Sequence, residues 1–447
     1  MREEGFEVGE SGTYSKYVHE LGLLASDVAR GSWNKVEQDV SNAINGGAAA
    51  SLRNLVPLET RRSQGAFFTS GPLRAAVVEA LEVSADSRQR YWDPTCGAGD
   101  LLIAAAAYLP VRDGMTETLR AWSTSLRGND LETEYVEAAR LRLFLAAGYR
   151  SWRAGRSTST EMRPDSCFRG ITTRDGLEAL EATRSFHGSI LLNPPYGAVT
   201  DERFRSIGGG AVTLAAPFAL AAATALRVGS QLCALLPDVL RSGSRYERWR
   251  NAFSSLAVPD KLQIGDQFDE HTDIHTFLIS ATRRRIQGPQ GQTDWWPRST
   301  AGQSVSSHFE VRVGSVVDNR DPCDGPAAPF LTARSMPASG EVGVPARTRR
   351  FAGKLLAPPF VALRRTSRPG PGKGGESRGV GVLVTGPTPI AVDNHIITAR
   401  PLDGREETCR QLLKVLAAPP TSQWLDQRIR CRHLTVRAVR ELPWSLQ

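Results

Sequence analysis

Lysine is scarce in this 447-residue chain: it supplies 6 of the 55 basic side chains, and arginine supplies the rest. With arginine abundant throughout, the net charge of +8 does not by itself argue for a polyanionic partner; where the charge sits must decide. Long apolar runs are missing too. The best candidate, Leu214 to Leu226, is interrupted and too short to cross a bilayer as a helix, so no membrane partner is expected. The six cysteines, at 96, 167, 233, 323, 409 and 431, show no close pairing, so neither a zinc ribbon nor a disulfide framework is implied. The opening Met1-Arg-Glu-Glu-Gly has no signal-peptide pattern, and a cytoplasmic, reducing setting is expected.

Charge is unevenly distributed. Residues 1–285 hold 33 Lys+Arg against 34 Asp+Glu, a balance of −1, whereas residues 286–447 hold 22 against 13, a balance of +9. The excess positive charge therefore sits in the last third, as expected of a region that meets phosphates. Residues 1–60 read as a helical extension, with apolar spacing at Tyr17, Leu21 and Leu24 and again at Val36, Val40 and Ile44, and a break at Gly46-Gly47. Residues 61–285 alternate strand and helix signals, the pattern of an α/β domain. Residues 286–307 have linker composition, and residues 308–447 read as a mostly β, mixed domain with strands near Phe360 to Arg364 and Gly379 to Val384. In it Arg364, Arg365, Arg368 and Lys373 belong to a Gly/Pro-rich basic segment that suits DNA phosphates, or is simply solvated.

Two motifs in the α/β region carry chemistry. Tyr91-Trp-Asp-Pro-Thr-Cys-Gly-Ala-Gly-Asp-Leu-Leu102 predicts a strand, a Gly-rich turn and a helix to about Tyr108. Gly97 and Gly99 remove side chains where a ligand approaches the backbone, and Asp93 meets a cationic or hydroxyl-bearing group. A dinucleotide fingerprint requires a third glycine where Leu102 stands, so nicotinamide and flavin cofactors are disfavoured. The second strand, near Ser125 to Asp130, leads into a helix from about Glu132; Asp130 is the candidate for ribose hydroxyls, with Glu132 and Glu134 otherwise serving the helix N-terminus. A third strand ends at Asp175, either a ligand for an adenine amine or a surface-loop acid.

The second motif is Ser189-Ile-Leu-Leu-Asn-Pro-Pro-Tyr-Gly197. An apolar strand stops at two prolines that cannot continue it, leaving the Asn193 amide, the Pro194 carbonyl, Pro195 and the Tyr196 ring at the carboxyl edge of a sheet. Taken alone, Asn-Pro-Pro is also an ordinary turn. Beyond it the pattern predicts a helix from Val212 to Leu226, a strand Gln231 to Pro237, a helix from about Arg245 and two antiparallel strands near Leu262 to Gly265 and His275 to Thr282. The loop from Asp201 to Gly210 reads as either a closing flap or a connector.

Gly-Ala-Phe-Phe-Thr (65–69), Asp-Pro-Thr-Cys-Gly-Ala-Gly (93–99), the acid at 130, Asp175 and Asn-Pro-Pro-Tyr (193–196) occur in that order. The order resembles the gamma group of S-adenosylmethionine-dependent adenine-N6 DNA methyltransferases, which includes type I modification subunits and type II restriction-modification enzymes. The resemblance covers roughly residues 60–285 and extends more loosely to the C-terminus. It implies a Rossmann-like class I methyltransferase sheet flanked by helices, S-adenosylmethionine as cofactor, no metal, and a C-terminal target-recognition domain on double-stranded DNA. By the same resemblance Phe67 and Thr69 border the methionine end of the donor, Asp93, Pro94, Cys96, Gly97 and Gly99 form the turn beneath it, Asp130 holds ribose and Asp175 meets adenine. Asn193 and the Pro194 carbonyl then accept hydrogen bonds from the target amine, Tyr196 stacks on the flipped base, and Phe268 is the nearest match to a second stacking residue.

The chemistry agrees with the residue types. An aromatic amine is a weak nucleophile because its lone pair is delocalised, and two acceptors around its N–H bonds favour a pyramidal nitrogen aimed at a sulfonium methyl. The function implied is site-specific adenine-N6 methylation, the modification half of a restriction-modification or phage-defence system, with a separate endonuclease or specificity subunit as possible partner. An RNA base methyltransferase is the enzymatic rival, and a non-catalytic DNA-binding specificity component the rival of another class.

Overall fold

The computed structural model describes residues 13–64, 71–81, 89–269, 272–285, 294–296, 302–366, 378–430 and 433–444. The chain divides into two compact units, residues 1–240 with 245–293, and residues 241–244 with 294–447.

The first unit is built on strands β1 (Tyr91–Asp93), β2 (Leu126–Asp130), β3 (Ile171–Thr173), β4 (Ser189–Leu192), β5 (Ala198–Val199), β6 (Val212–Thr213), β7 (Gln231–Pro237), β8 (Ala257–Asp269) and β9 (Thr272–Arg283). Seven of these form one sheet in the order β3-β2-β1-β4-β7-β9-β8, with β5 and β6 paired separately. The first five sheet strands run parallel, and β9 is antiparallel to both β7 and β8. Central parallel strands are covered on both faces, which is why β4 and β7 are buried at every position. This is the Rossmann-like class I methyltransferase sheet.

The strand order places the site. From β1 the chain works outward through β2 to β3, then returns to lay β4 on the other side of β1. Connections therefore leave β1 and β4 in opposite directions, opening a crevice at their carboxyl ends, where open α/β sheets take ligands. Asp93 ends β1 and Asn193 follows β4.

Helices complete the unit. Thr133–Arg153 carries Glu134 in its first turn and Arg150 and Arg153 in its last, matching the helix dipole at both ends. The N-terminal helix Thr13–Ala29 packs along it. Arg142 is fully buried and ties three segments together: it donates to the Ala43 carbonyl (2.8 Å), to Asp100 (2.8 Å) and to the Ala98 carbonyl. The N-terminal helices share one hydrophobic core with the sheet helices, and Trp33 stacks on Trp152 at 5.4 Å. At Gly46, φ of +109° produces the break anticipated there.

Two expectations are corrected. Val212 and Thr213 are not helical but pair with Val199 and Ala198, and the helix begins at Ala215, because their β-branched side chains close a small hairpin behind the Asn-Pro-Pro turn. The last two strands are longer than predicted, since they pair with each other beyond the buried stretch that periodicity detects. The loop 201–210 is pinned by the buried Phe204 and Ile207 and by Arg245, which donates to the Gly209 and Ala211 carbonyls.

The second unit holds a five-stranded sheet whose central strands, Phe360–Arg364, Gly381–Val384 and Ile396–Pro401, alternate their side chains between two apolar layers. Val361, Leu363, Leu383 and Ile397 face the helices Glu406–Ala417 and Pro419–Arg428; Phe360, Ala362, Val382 and Ile396 face the opposite layer. Among the described residues no helix is long and apolar enough to cross a membrane.

Candidate active site

The turn after β1 is wired to the turn after β4. Asp93, 1% exposed, accepts the Thr95 backbone N–H at 3.0 Å and lies 3.4 Å from the Thr95 hydroxyl. That hydroxyl is also 3.3 Å from the Asn193 carbonyl, so a single side chain spans the two sequence motifs. Burial pushes the Asp93 carboxyl up to about 8, against the hydrogen bond from Thr95 and with the Asp130 charge adding to the rise. A group raised in the folded state contributes stability that is complete below its unfolded value and lost as pH climbs through the folded one. Asp93→Asn is therefore expected to flatten the pH dependence of stability between about pH 5 and 8, where a single group contributes at most about 1.4 kcal/mol per pH unit. Denaturant titrations across that range test it, and an unchanged slope would mean that Asp93 stays ionised throughout.

Cys96 donates its backbone N–H to the Asn129 carbonyl (2.8 Å), and its buried thiol, pushed well up by burial, lies where a Cβ on Gly128 would come within 3.0 Å. It is a packing group. Gly97, at φ +48°, donates its N–H to Asp130 (2.9 Å), so the turn is held from the second strand. Gly99, at φ +86°, abuts Ala139 of the long helix, where a Cβ would sit 3.1 Å away.

Asp130 accepts a second backbone N–H, from Glu132, at 3.0 Å, and burial raises its pKa despite both donors. Between these acids Leu131 is 69% exposed, an apolar side chain presented at the strand tip. Asp175 caps the helix Gly176–Glu181, accepting from the Leu177 (2.7 Å) and Glu178 (3.3 Å) N–H groups through Oδ1. Asp175→Ala is expected to lose about 1 kcal/mol of stability, the usual value of such a cap, measurable by urea unfolding; no change would remove the cap from the account. Gly176 presses on Pro94 so closely that a Cβ would fall 1.6 Å from its carbonyl oxygen, which brings the Asp175 turn directly against the Gly-rich one.

Beyond β4, the Tyr196 hydroxyl lies 3.0 Å from Asn193 Oδ1 and 3.2 Å from the Leu235 carbonyl of β7. Its burial keeps the phenol protonated, while the residue as a whole stays partly exposed. The backbone exit is fixed by Thr213, whose hydroxyl donates to the Tyr196 carbonyl at 3.0 Å, and by the Leu214 N–H to Gly197 (2.8 Å). Pro194 is buried and Pro195 partly so.

Asp93, Cys96, Gly97, Asp130, Asp175, Asn193 and Tyr196 thus converge on one sheet edge. Phe67 and Thr69 lie outside the described residues. Phe268 falls in β8, one residue before its end, with its side chain outside those described. In the second unit Arg364 ends a strand and gives its guanidinium to the Met336 carbonyl, so it belongs to the domain's framework rather than to a loop. Arg365 lines a cavity with Arg437 and Arg440, and Arg368 and Lys373 lie outside the described residues. Sequence reasoning overlooked Thr95, Leu131 and Gly176. The signals present were an apolar residue between two acids at a strand tip and a glycine directly after a capping aspartate.

No protein family model matches the chain, and no curated protein matches it. Solved structures do. The type IIL restriction-modification enzyme MmeI, in complex with DNA, is 12% identical with a TM-score of 0.55 over 89% of this chain and 69% of that one. The type IIG restriction endonuclease BpuSI is 11% identical, TM-score 0.44, over 88% and 60%. The type I restriction-modification methyltransferase subunit from Streptococcus thermophilus is 20% identical, TM-score 0.35, over 49% and 45%. The chain spans less than two thirds of the length of the type I structures it matches, 48% and 43% in two others. The likeness to MmeI is one of fold.

Proposed function

We propose that the first unit transfers a methyl group from S-adenosylmethionine to the exocyclic amine of an adenine flipped out of duplex DNA, and that the protein is the modification component of a restriction-modification or phage-defence system. One observation carries the reading: the Thr95 hydroxyl within hydrogen-bond reach of both Asp93 and the Asn193 carbonyl, which joins the Gly-rich turn to Asn-Pro-Pro-Tyr at the sheet's switch point. MmeI, a restriction-modification enzyme on DNA, matches along most of this chain, which supports placing the activity in that setting.

The residues fit the donor. Asp130 offers acceptor capacity to ribose hydroxyls, exposed Leu131 an apolar face to a purine, and Asp175 Oδ2 an acceptor for an adenine amine. A cation held at this edge would draw the raised carboxyls of Asp93 and Asp130 back towards their ionised forms. When bound, S-adenosylmethionine supplies the electrophilic methyl. Asn193 Oδ1 and the Pro194 carbonyl accept the two N–H bonds of the target amine, turning its lone pair out of the ring plane. The Tyr196 hydroxyl holds Asn193 in place, and its ring stacks on the base, offsetting the few kcal/mol that flipping costs. Arg365, Arg368 and Lys373 of the basic C-terminal unit are the candidates for phosphate contact.

The test is transfer of labelled methyl from S-adenosylmethionine to duplex DNA and to RNA, followed by product mapping. N6-methyladenine at a defined DNA site is expected. Label in RNA alone, or in neither polymer while the donor still binds, would overturn the reading.

A further inference from the structure

Side chains alternate along β2, so Gly128 faces Cys96 and Leu102 while Arg127 and Asn129 point to the other face of the sheet. On that second face lies a cavity of about 470 Å³, lined by Arg90, Arg127, Asn129, Thr172, Arg174 and Phe186 among others. Its floor is rigid. The Trp92 indole N–H donates to Asn129 (2.9 Å), whose amide donates to the Thr172 hydroxyl (2.9 Å), a chain anchored on two buried residues. Arg127 lies over Trp92, its guanidinium carbon 4.0 Å from the ring centroid.

Among the described residues no carboxylate pairs with the arginines of this cavity. Arg90, Arg127 and Arg174 enter no side-chain hydrogen bond or ion pair among the described residues, although Arg312, Arg349, Arg378 and Arg410 elsewhere each hold a carboxylate. Burial, and then the charge of Arg174, pull the Arg127 pKa down, the response of like charges gathered without an anion. Guanidinium forks match tetrahedral oxyanions, and the partly exposed Phe186 ring adds a face on which a planar group can stack. The size suits a small ligand rather than a single ion.

We propose that this cavity binds a phosphate ester through Arg90, Arg127 and Arg174, at a site separate from the methyl-transfer edge. The ligand is either a small phosphorylated molecule or the phosphates of a nucleic-acid end; the recognition chemistry is the same. The proposal does not depend on the methyl-transfer reading.

Isothermal titration of the full chain with inorganic pyrophosphate and with a 5′-phosphorylated dinucleotide tests it, using the Arg127→Gln/Arg174→Gln double variant for comparison. Binding at micromolar to millimolar concentration, weakened about tenfold or more in the double variant with thermal stability unchanged, is expected. Equal binding of the two probes assigns the cavity to small phosphates, and preference for the dinucleotide assigns it to nucleic acid. No binding of either probe at millimolar concentration, or undiminished binding by the variant, overturns the proposal. Should the double variant unfold, the exposed Arg174→Gln alone carries the test: affinity must still fall, and unchanged affinity overturns it.

Discussion

Asn193→Ala is expected to slow methyl transfer about 10²- to 10³-fold while leaving S-adenosylmethionine affinity within about twofold of the native value. On the proposed mechanism the carboxamide accepts from the target amine, and its contribution is confined to the transition state, where the amine becomes pyramidal. Donor binding is left alone because the acids that would hold the donor sit on β1, β2 and the turn after β3. Tyr196→Phe provides the graded comparison. It removes the hydroxyl contacts with Asn193 and Leu235 but keeps the ring, so a loss on the order of tenfold in kcat is expected, with KM for DNA little altered. Single-turnover measurements with saturating DNA would read both. Retained activity in Asn193→Ala would defeat the mechanism, whatever the Tyr196 variant does.

Gly176→Ala is expected to destabilise the first unit by about 4 kcal/mol or more. The added Cβ would lie 1.6 Å from the Pro94 carbonyl oxygen and 2.7 Å from its carbon, and both are backbone atoms that no rotamer change can move. Relief requires the Asp175 turn to withdraw from the Gly-rich turn, so donor affinity should fall together with stability. With two compact units, denaturant unfolding is best followed by probes assigned to each, and only the first unit's transition should shift. A variant with unchanged unfolding midpoint and donor affinity would mean that the close approach of these turns is not maintained in solution.

How much of this was legible beforehand depended on the reach of each signal. β4 and β7 could be read directly, because buried parallel strands are continuous apolar runs closed by prolines. Asp93 and Asp130 could be placed at strand tips because polar residues interrupt such runs there. Val212 and Thr213 could not be placed: they adjoin a good helical pattern, and only pairing with Ala198 and Val199 makes them a strand. Arg364 could be read as a strand end, but not its partner: the guanidinium goes to a carbonyl from residue 336 rather than to a phosphate-facing surface. Helix Met115–Ser125 was missed altogether, its apolar face of Met115, Leu119 and Trp122 being too sparse to stand out.

The amino-acid order alone determined which chemical groups stand at the ends of β1, β2 and β4, because those groups are local and the turn residues beside them dictate where the chain leaves the sheet. Tertiary structure decided the partners. The contacts from Gly97 to Asp130, from Thr95 to Asn193 and from Tyr196 to Leu235 join residues 33, 98 and 39 positions apart, and only the strand order brings them within hydrogen-bond reach. It also decided that Gly99 and Gly176 are closely packed and that Arg127 and Arg174 share one cavity, since alternation along a strand assigns a face but not what occupies it.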